Sequence, residues 1–294
     1  MTEIFGYPIP VILGQLMLGL VNGSFYAMLS LGLAVIFGLL GVVNFAHGAF
    51  YMLGAFAALL GLQDLGINYW LALVLSPLVV GAFGIVLERT LLRPLYKLDP
   101  LYGLLLTFGL ALIFEGIMRD RYGSSGQSYP VPDALQGVFN LGFMILPIYR
   151  AWVIVASLAV CFGTWFVIER TRLGATLRAA TENPRLVQAF GLNVPIIVML
   201  TYGAGIALAA LAGVLSAPVI QVSPFMGSSV VVVVFAVVVI GGMGSILGAI
   251  VSGLVLGMVE GFTKVIYPEA SNIVVFVIMA IVLVVRPAGL FGRE

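Results

Sequence analysis

The sequence predicts an all-α membrane protein, a polytopic bundle of about 8–10 transmembrane helices. Of its 294 residues, 62% are hydrophobic, and the mean hydropathy is +1.20. Only 9% are charged, against roughly 25% in a soluble domain, so a water-facing surface of this size is excluded. The apolar runs are continuous, and residues 230–240 contain no polar side chain. A membrane β-barrel would instead alternate apolar and polar residues, which leaves helices.

The apolar segments set the positions of the spans within a single transmembrane domain, residues 1–294. A spanning helix needs about 20 mostly apolar residues. Such segments lie at residues 9–28, 29–43, 48–63, 69–88, 102–118, 151–168, 195–216, 229–243, 246–263 and 272–287. The first two adjoin and could form one long or broken helix, so the count is a range.

The basic residues orient these spans, because Lys and Arg accumulate on the cytoplasmic side of a membrane. Residues 89–100, residues 169–194 and the C-terminal tail with Arg286 and Arg293 hold three, four and two of the 13 basic residues. With ten spans these regions share one face. We therefore predict that both termini are cytoplasmic. Residues 119–150, rich in turn residues, then form an external loop with a short helix or hairpin.

Several functional classes are excluded by composition. One histidine, His47, and one cysteine, Cys161, leave almost no material for a catalytic site, and the sequence shows no cluster of metal ligands. No phosphate-binding loop or cofactor motif is present. The net charge of +1, without a basic patch, gives no indication of nucleic-acid binding. We expect a non-catalytic chain without cofactor or metal.

A short capped helix is predicted within the cytoplasmic loop 169–194. Asn183 suits the N-cap, Pro184 the first helical position and Gly191 the C-terminal stop. Leu186 and Phe190 then lie on one side, four residues apart. A helix of about two turns is not stable alone and must dock on other structure. The spacing leaves open whether that structure is the membrane domain or a soluble partner.

A polar motif interrupts the apolar sequence near residue 44. Asn44 and His47 lie between two predicted spans. Polar groups at membrane depth are costly and tend to line a pathway or an interhelical contact. Alternatively, His47 lies at the membrane boundary at a helix end, and both interpretations stay open.

Glycines recur at the spacing typical of helix contacts. Gly244 and Gly248 are four residues apart, as are Gly253 and Gly257. Small residues at this spacing let two helix backbones approach closely in a membrane. We predict that these four glycines serve helix packing.

Three separated blocks resemble one transporter family. Residues 41–48, Gly-Val-Val-Asn-Phe-Ala-His-Gly, followed by Tyr51, resemble permeases of branched-chain amino acid ABC transporters. The order Ala-His-Gly resembles the LivH branch rather than its LivM sister. Residues 178–193 resemble the cytoplasmic coupling segment of this family. Residues 241–249 and the tail at 286–292 also agree, so the resemblance covers essentially the whole chain.

The resemblance implies the fold of a type II ABC importer permease in the bacterial inner (plasma) membrane. It further implies a LivM-like second permease, two cytoplasmic ABC ATPase subunits and an external solute-binding protein. The residues expected to couple to the ATPase are Thr181, Glu182, Asn183, Pro184, Arg185, Leu186, Phe190 and Gly191. Those expected to line the translocation pathway or its gate are Asn44, His47, Gly48 and Tyr51.

The solute is less well defined by the sequence. The resemblance implies branched-chain or related hydrophobic amino acids, but importers of urea or short amides resemble the same family. This chain has Ala49 where the family often has an acidic residue. An ATP-independent transporter or channel is the alternative from another class. No charged residue lies between Gly191 and Glu260, which argues against proton coupling there.

Overall fold

The computed structural model describes residues 3–4, 6–41 and 44–292. Val42, Val43 and Arg293, used above, lie outside these residues. The helices are α1 Ile9–Leu40, α2 His47–Leu65, α3 Tyr69–Leu87, α4 Pro100–Tyr122, α5 Ile148–Arg170, α6 Arg172–Glu182, α7 Pro184–Ala189, α8 Val194–Ser216, α9 Met226–Gly241, α10 Ile246–Ile266 and α11 Val274–Val285. Two antiparallel hairpins pair β1 Glu3–Ile4 with β2 Tyr7–Pro8, and β3 Val138–Asn140 with β4 Ile145–Pro147.

The helices confirm a polytopic membrane bundle. Among the described residues, seven helices are long and apolar enough to cross a membrane: α1 to α5, α8 and α10. The apolar helices α9 and α11 are shorter, with 16 and 12 residues. Together these elements fall within the predicted range of spans. The hairpin predicted for the loop between α4 and α5 is present as β3 and β4.

The first two predicted spans are one helix. α1 runs through 32 residues, and Met28, Leu29 and Ser30 at the predicted junction are fully buried. Merging two spans removes one crossing of the membrane. Of the two alternatives left open for these segments, the structure therefore shows the single long helix, and the upper end of the predicted range, ten spans, is not reached.

The ends of the chain lie at opposite ends of α10. The Tyr7 hydroxyl donates to the carbonyl oxygen of Ile266, the last residue of α10, at 3.4 Å. The amide of Phe291 donates to the carbonyl of Gly241 at 3.1 Å, and Gly241 packs against Gly248 in the first turn of α10. Because α10 is long enough to cross the membrane, Tyr7 and Phe291, which are near the two ends of the chain, lie on opposite faces. The prediction that both are cytoplasmic does not hold, and the merged α1 explains why.

The chain forms two compact units. The first comprises Met1–Ser30, Pro130–Cys161 and Val233–Glu294, and the second comprises Leu31–Tyr129 and Phe162–Val232. Three helices, α1, α5 and α9, contribute residues to both. That the whole chain acts as one domain stays a prediction.

In the first unit, α1 and α10 cross at glycines. A Cβ atom added to Gly257 would collide with the backbone of Gly23, and one added to Gly253 would lie 2.5 Å from the amide nitrogen of Ala27. Gly248 contacts the carbonyl of Gly241, at the end of α9. These three glycines lie at close helix contacts, as small residues in membrane helices do.

Gly244 is different and corrects the prediction of helix packing at that position. It lies in the turn between α9 and α10, is exposed, and has a φ of +85°. Glycine adopts this left-handed backbone conformation without the steric penalty of a Cβ atom. Gly244 therefore lies in a turn whose backbone conformation favours glycine, and not within a helix.

In the second unit, α2, α3 and α8 pack closely. Gly54 of α2 contacts the backbone of Ala210 in α8, and a Cβ atom on Gly84 of α3 would lie 3.0 Å from the Ile206 side chain. Gly213 of α8 contacts the carbonyl of Tyr51. This packing fixes the start of α2 against α8, which is where the polar motif lies.

Candidate functional site

The segment between α6 and α8 forms the short capped helix that the sequence indicates. The Asn183 side chain accepts a hydrogen bond from the amide of Leu186 at 3.0 Å, so Asn183 is the N-cap of α7. Pro184 is the first helical residue, and Gly191 adopts a φ of +82° just after the helix. With six residues, α7 is held by its surroundings and not by its own hydrogen bonds.

One face of α7 is anchored to α8. Val187 is 6% exposed and forms a buried apolar cluster with Ala180 of α6 and Val194 of α8. Ile197 and Val198, one turn further along α8, pack against the same cluster. α7 therefore packs directly on the first turns of α8.

Two large apolar side chains of this segment are exposed. Leu186 is 54% exposed and Phe190 is 78% exposed. The exposed set also includes the other predicted coupling residues, Glu182, Asn183, Pro184, Arg185 and Gly191. Thr181 is partly buried, and its hydroxyl donates to the carbonyl of Arg178 at 2.6 Å. We call Leu186 and Phe190 the coupling pair; large exposed apolar side chains brought together in this way are typical of an interaction surface.

The polar motif lies inside the second unit. Asn44 is 2% exposed; its amide donates to the Tyr202 hydroxyl at 3.1 Å and its carbonyl oxygen accepts from the amide of Ala46 at 3.1 Å. His47 is 1% exposed, and a Cβ atom on Gly32 would lie 3.1 Å from its ring. Tyr51 is also buried. These three side chains are buried between helices in this conformation, and their assignment to the pathway or gate stays a prediction.

Gly48 borders a cavity of about 70 Å³ between α2, α4 and the start of α9. A Cβ atom on Gly48 would lie 2.5 Å from the carbonyl oxygen of Gly227, so the two backbones are in close contact. Ala49 and Glu115 also line this cavity. Gly48, of the predicted pathway set, thus borders a cavity in the described structure.

Sequence reasoning missed the burial of Glu88. This residue is 1% exposed and lies in a π-helical turn, Glu88–Leu92, that follows α3. The Tyr96 hydroxyl donates to its Oε1 atom at 3.0 Å, while its Oε2 atom has no hydrogen-bond partner among the described residues. The sequence places Glu88 beside Arg89 at the end of a span, and nothing local marks a π-turn.

Glu260 in the first unit is likewise buried. It accepts a hydrogen bond from the Tyr26 hydroxyl at 2.8 Å and forms an ion pair with Lys264 at 2.6 Å. The separation of four residues between Glu260 and Lys264 is a sequence pattern that predicts such a pair on a helix. The contact with Tyr26, 234 residues away, has no such pattern.

Replacing Tyr202 with Phe is expected to destabilise the second unit. The Asn44 amide would lose its acceptor in a buried place, and an unsatisfied buried donor costs about 1–3 kcal/mol. Thermal unfolding in detergent should show a lower Tm for Tyr202→Phe. The matched control is Tyr102→Phe in α4, where the side chain is 55% exposed and the Tm should stay at the wild-type value. Equal Tm values for the two variants would contradict the role assigned to the Asn44–Tyr202 hydrogen bond.

Known proteins similar to this chain are transport permeases. Residues 15–283 match the family model for the permease component of branched-chain amino acid transport systems. The high-affinity branched-chain amino acid permease protein BraD of Pseudomonas aeruginosa is 32% identical, over 100% of this chain and 98% of the relative. LivH of Escherichia coli is 30% identical over the same shares. LivM of Escherichia coli is 26% identical over 90% of this chain and 67% of the relative.

The apolar helices and these matches define a multi-pass membrane permease. The chain belongs to the branched-chain amino acid ABC transporter permeases and is of the LivH type.

Proposed function

We propose that this chain is the permease subunit of an ATP-driven importer for branched-chain or related hydrophobic amino acids in a bacterial inner membrane. The observation that carries this proposal is α7, anchored through Val187 and exposing Leu186 and Phe190. A short helix with one fixed face and one exposed apolar face is suited to transmit movement from a docked subunit. The names of the similar permeases, BraD and LivH, support the class of solute.

The proposed assembly contains subunits that supply what this chain lacks. A LivM-like permease forms the pathway together with it, two cytoplasmic ATPase subunits bind and hydrolyse ATP, and an external protein delivers the solute. The similarity to LivM supports a pair of related permeases. This chain itself carries out no chemistry.

The proposed mechanism is alternating access driven by ATP. Closure of the ATPase dimer displaces α7, and the Val187 cluster passes that displacement to α8. Tyr202 lies four residues beyond Val198 on α8 and is bonded to Asn44. In this mechanism Asn44, His47, Gly48 and Tyr51 form the gate, because they lie where α2 meets α8 and α9. ATP shifts the transporter between its inward-open and outward-open conformations only because the ATPase subunits bind it with different affinity in the two conformations.

The solute class is tested by reconstituting the complete complex in proteoliposomes. ATPase activity is measured with the binding protein and each of leucine, isoleucine, valine, urea and acetamide. Stimulation by the three amino acids alone is expected. Stimulation by urea or acetamide alone would show that the solutes are uncharged amides and not amino acids. Solute uptake without ATP would overturn the assignment as an ATP-driven importer.

A further inference from the structure

Glu115 is a charged residue in the C-terminal half of α4, a helix long enough to cross a membrane. It lies in α4, and no other residue from Pro100 to Met118 is charged. At 1.5 Å per residue it lies about 22 Å from the start of the helix. Its carboxylate makes no hydrogen bond or ion pair with another residue in the described part of the chain. Since an ionisable group in a span is costly, its partner is expected to come from outside this chain.

The carboxylate lines the cavity that Gly48 borders. The walls are mainly apolar, formed by Phe45, Met52, Phe108, Leu112 and Val231. Ser228 also lines the cavity, and its hydroxyl donates to the carbonyl of Phe225 at 3.1 Å. Glu115 is therefore the one charged group among the lining residues.

The size and lining of the cavity restrict its ligand. A volume of about 70 Å³ exceeds the roughly 10–15 Å³ that one water needs and accommodates an ammonium group with its neighbouring carbons. A carboxylate beside apolar walls favours a cation with an apolar substituent, because a charge-assisted hydrogen bond is stronger than a neutral one. The solutes named above differ in this respect. Branched-chain amino acids carry an ammonium group, whereas urea and short amides are uncharged.

We propose that Glu115 binds the ammonium group of the amino acid during translocation and selects amino acids over uncharged amides. This inference rests on the proposed importer function and adds a specificity-determining residue to it. The apolar wall then faces the branched side chain. Selection would occur inside the permease, after the external binding protein has released its solute.

The position of Ala49 offers a direct test of charge placement. Ala49, on α2, lines the same cavity and is 6% exposed. In the double variant Glu115→Ala with Ala49→Glu, the carboxylate moves from one wall of the cavity to another. If the cavity needs the charge itself, this variant should recover part of the activity lost in Glu115→Ala.

The test measures leucine uptake by the complete complex in proteoliposomes, with saturating binding protein and ATP. Glu115→Gln should lower the uptake rate about tenfold, as expected for loss of a charge-assisted hydrogen bond, and Glu115→Asp should lower it less. The complex of Glu115→Gln should still contain every subunit after purification. Asp120→Asn is the matched control; it changes the same charge at an exposed site on the same helix and should transport like wild type.

Two outcomes would overturn the inference. Uptake by Glu115→Gln within about twofold of wild type would show that the carboxylate does not bind the solute. Loss of the second permease from the Glu115→Gln complex would show that the carboxylate pairs with that subunit instead. If urea and not leucine stimulates the ATPase activity of the wild-type complex, the proposed solute class is wrong. The inference about Glu115 is then wrong as well, because it rests on that solute class.

Discussion

A double variant with Leu186→Asp and Phe190→Asp is expected to lose its ATPase subunits during purification while its membrane helices stay folded. The two side chains are 54% and 78% exposed in the isolated chain and would become buried on docking. Burying a Leu or Phe side chain contributes about 1.5–3 kcal/mol, and burying an unpaired carboxylate in its place is unfavourable. The affinity for the ATPase should therefore fall by about a hundredfold or more. The measurement is the amount of ATPase that co-purifies with a tagged permease.

The matched control for this variant is Phe139→Asp in the hairpin between α4 and α5. Phe139 is 50% exposed, and its hairpin is expected on the external face. Its substitution should leave the co-purifying ATPase unchanged. Normal ATPase content in the double variant would show that docking does not use the coupling pair. A lowered Tm in the double variant would show instead that the substitutions unfold the segment.

In the proposed mechanism, the route from α7 to the polar motif runs along α8. Val187 packs against Val194, and Ile197 and Val198 extend that contact along α8. Tyr202 follows one turn later and bonds to Asn44, in the connection between α1 and α2. An α-helix transmits a displacement along its axis because every backbone hydrogen bond lies within it. Loss of the Asn44–Tyr202 bond should therefore weaken coupling as well as stability.

Local features were predictable from the sequence because their causes are local. Asn183, Pro184 and Gly191 mark the start and end of α7 within nine residues, and each adopts the predicted position. The same holds for the hairpin between α4 and α5, where turn residues are concentrated. Cap and turn preferences depend on neighbours in the chain, so they need no knowledge of packing.

Features that depend on distant contacts were not predictable. α1 has 32 residues, about 48 Å of helix, which exceeds the membrane core of about 30 Å. An apolar segment of this length is therefore interpreted as two spans when only its hydropathy is known. The burial of Glu88 depends on a π-turn and on Tyr96, and the bond of Asn44 depends on Tyr202, 158 residues away. No pattern in the sequence marks the π-turn at Glu88 or connects Asn44 with a residue 158 positions away.

Gly257→Leu is expected to prevent folding of the first unit. Gly257 contacts the backbone of Gly23 and Gly19 in α1, and even a Cβ atom would collide there. Overpacking usually costs about 1–3 kcal/mol when side chains can shift, and a collision with backbone offers no such relief. The expected result is a large loss of monodisperse protein on size-exclusion chromatography in detergent.

Gly163→Leu is the matched control, because a Cβ atom on Gly163 in α5 meets nothing within 4 Å. This variant should elute and unfold like wild type, since Leu is favoured over Gly in a helix. The pair of variants separates the effect of close helix contact from that of losing a glycine. If Gly257→Leu matched Gly163→Leu in yield and Tm, the crossing of α1 and α10 would not depend on glycine. Because small residues four apart occur throughout this chain, their role must be decided at each contact, as the exposed turn at Gly244 illustrates.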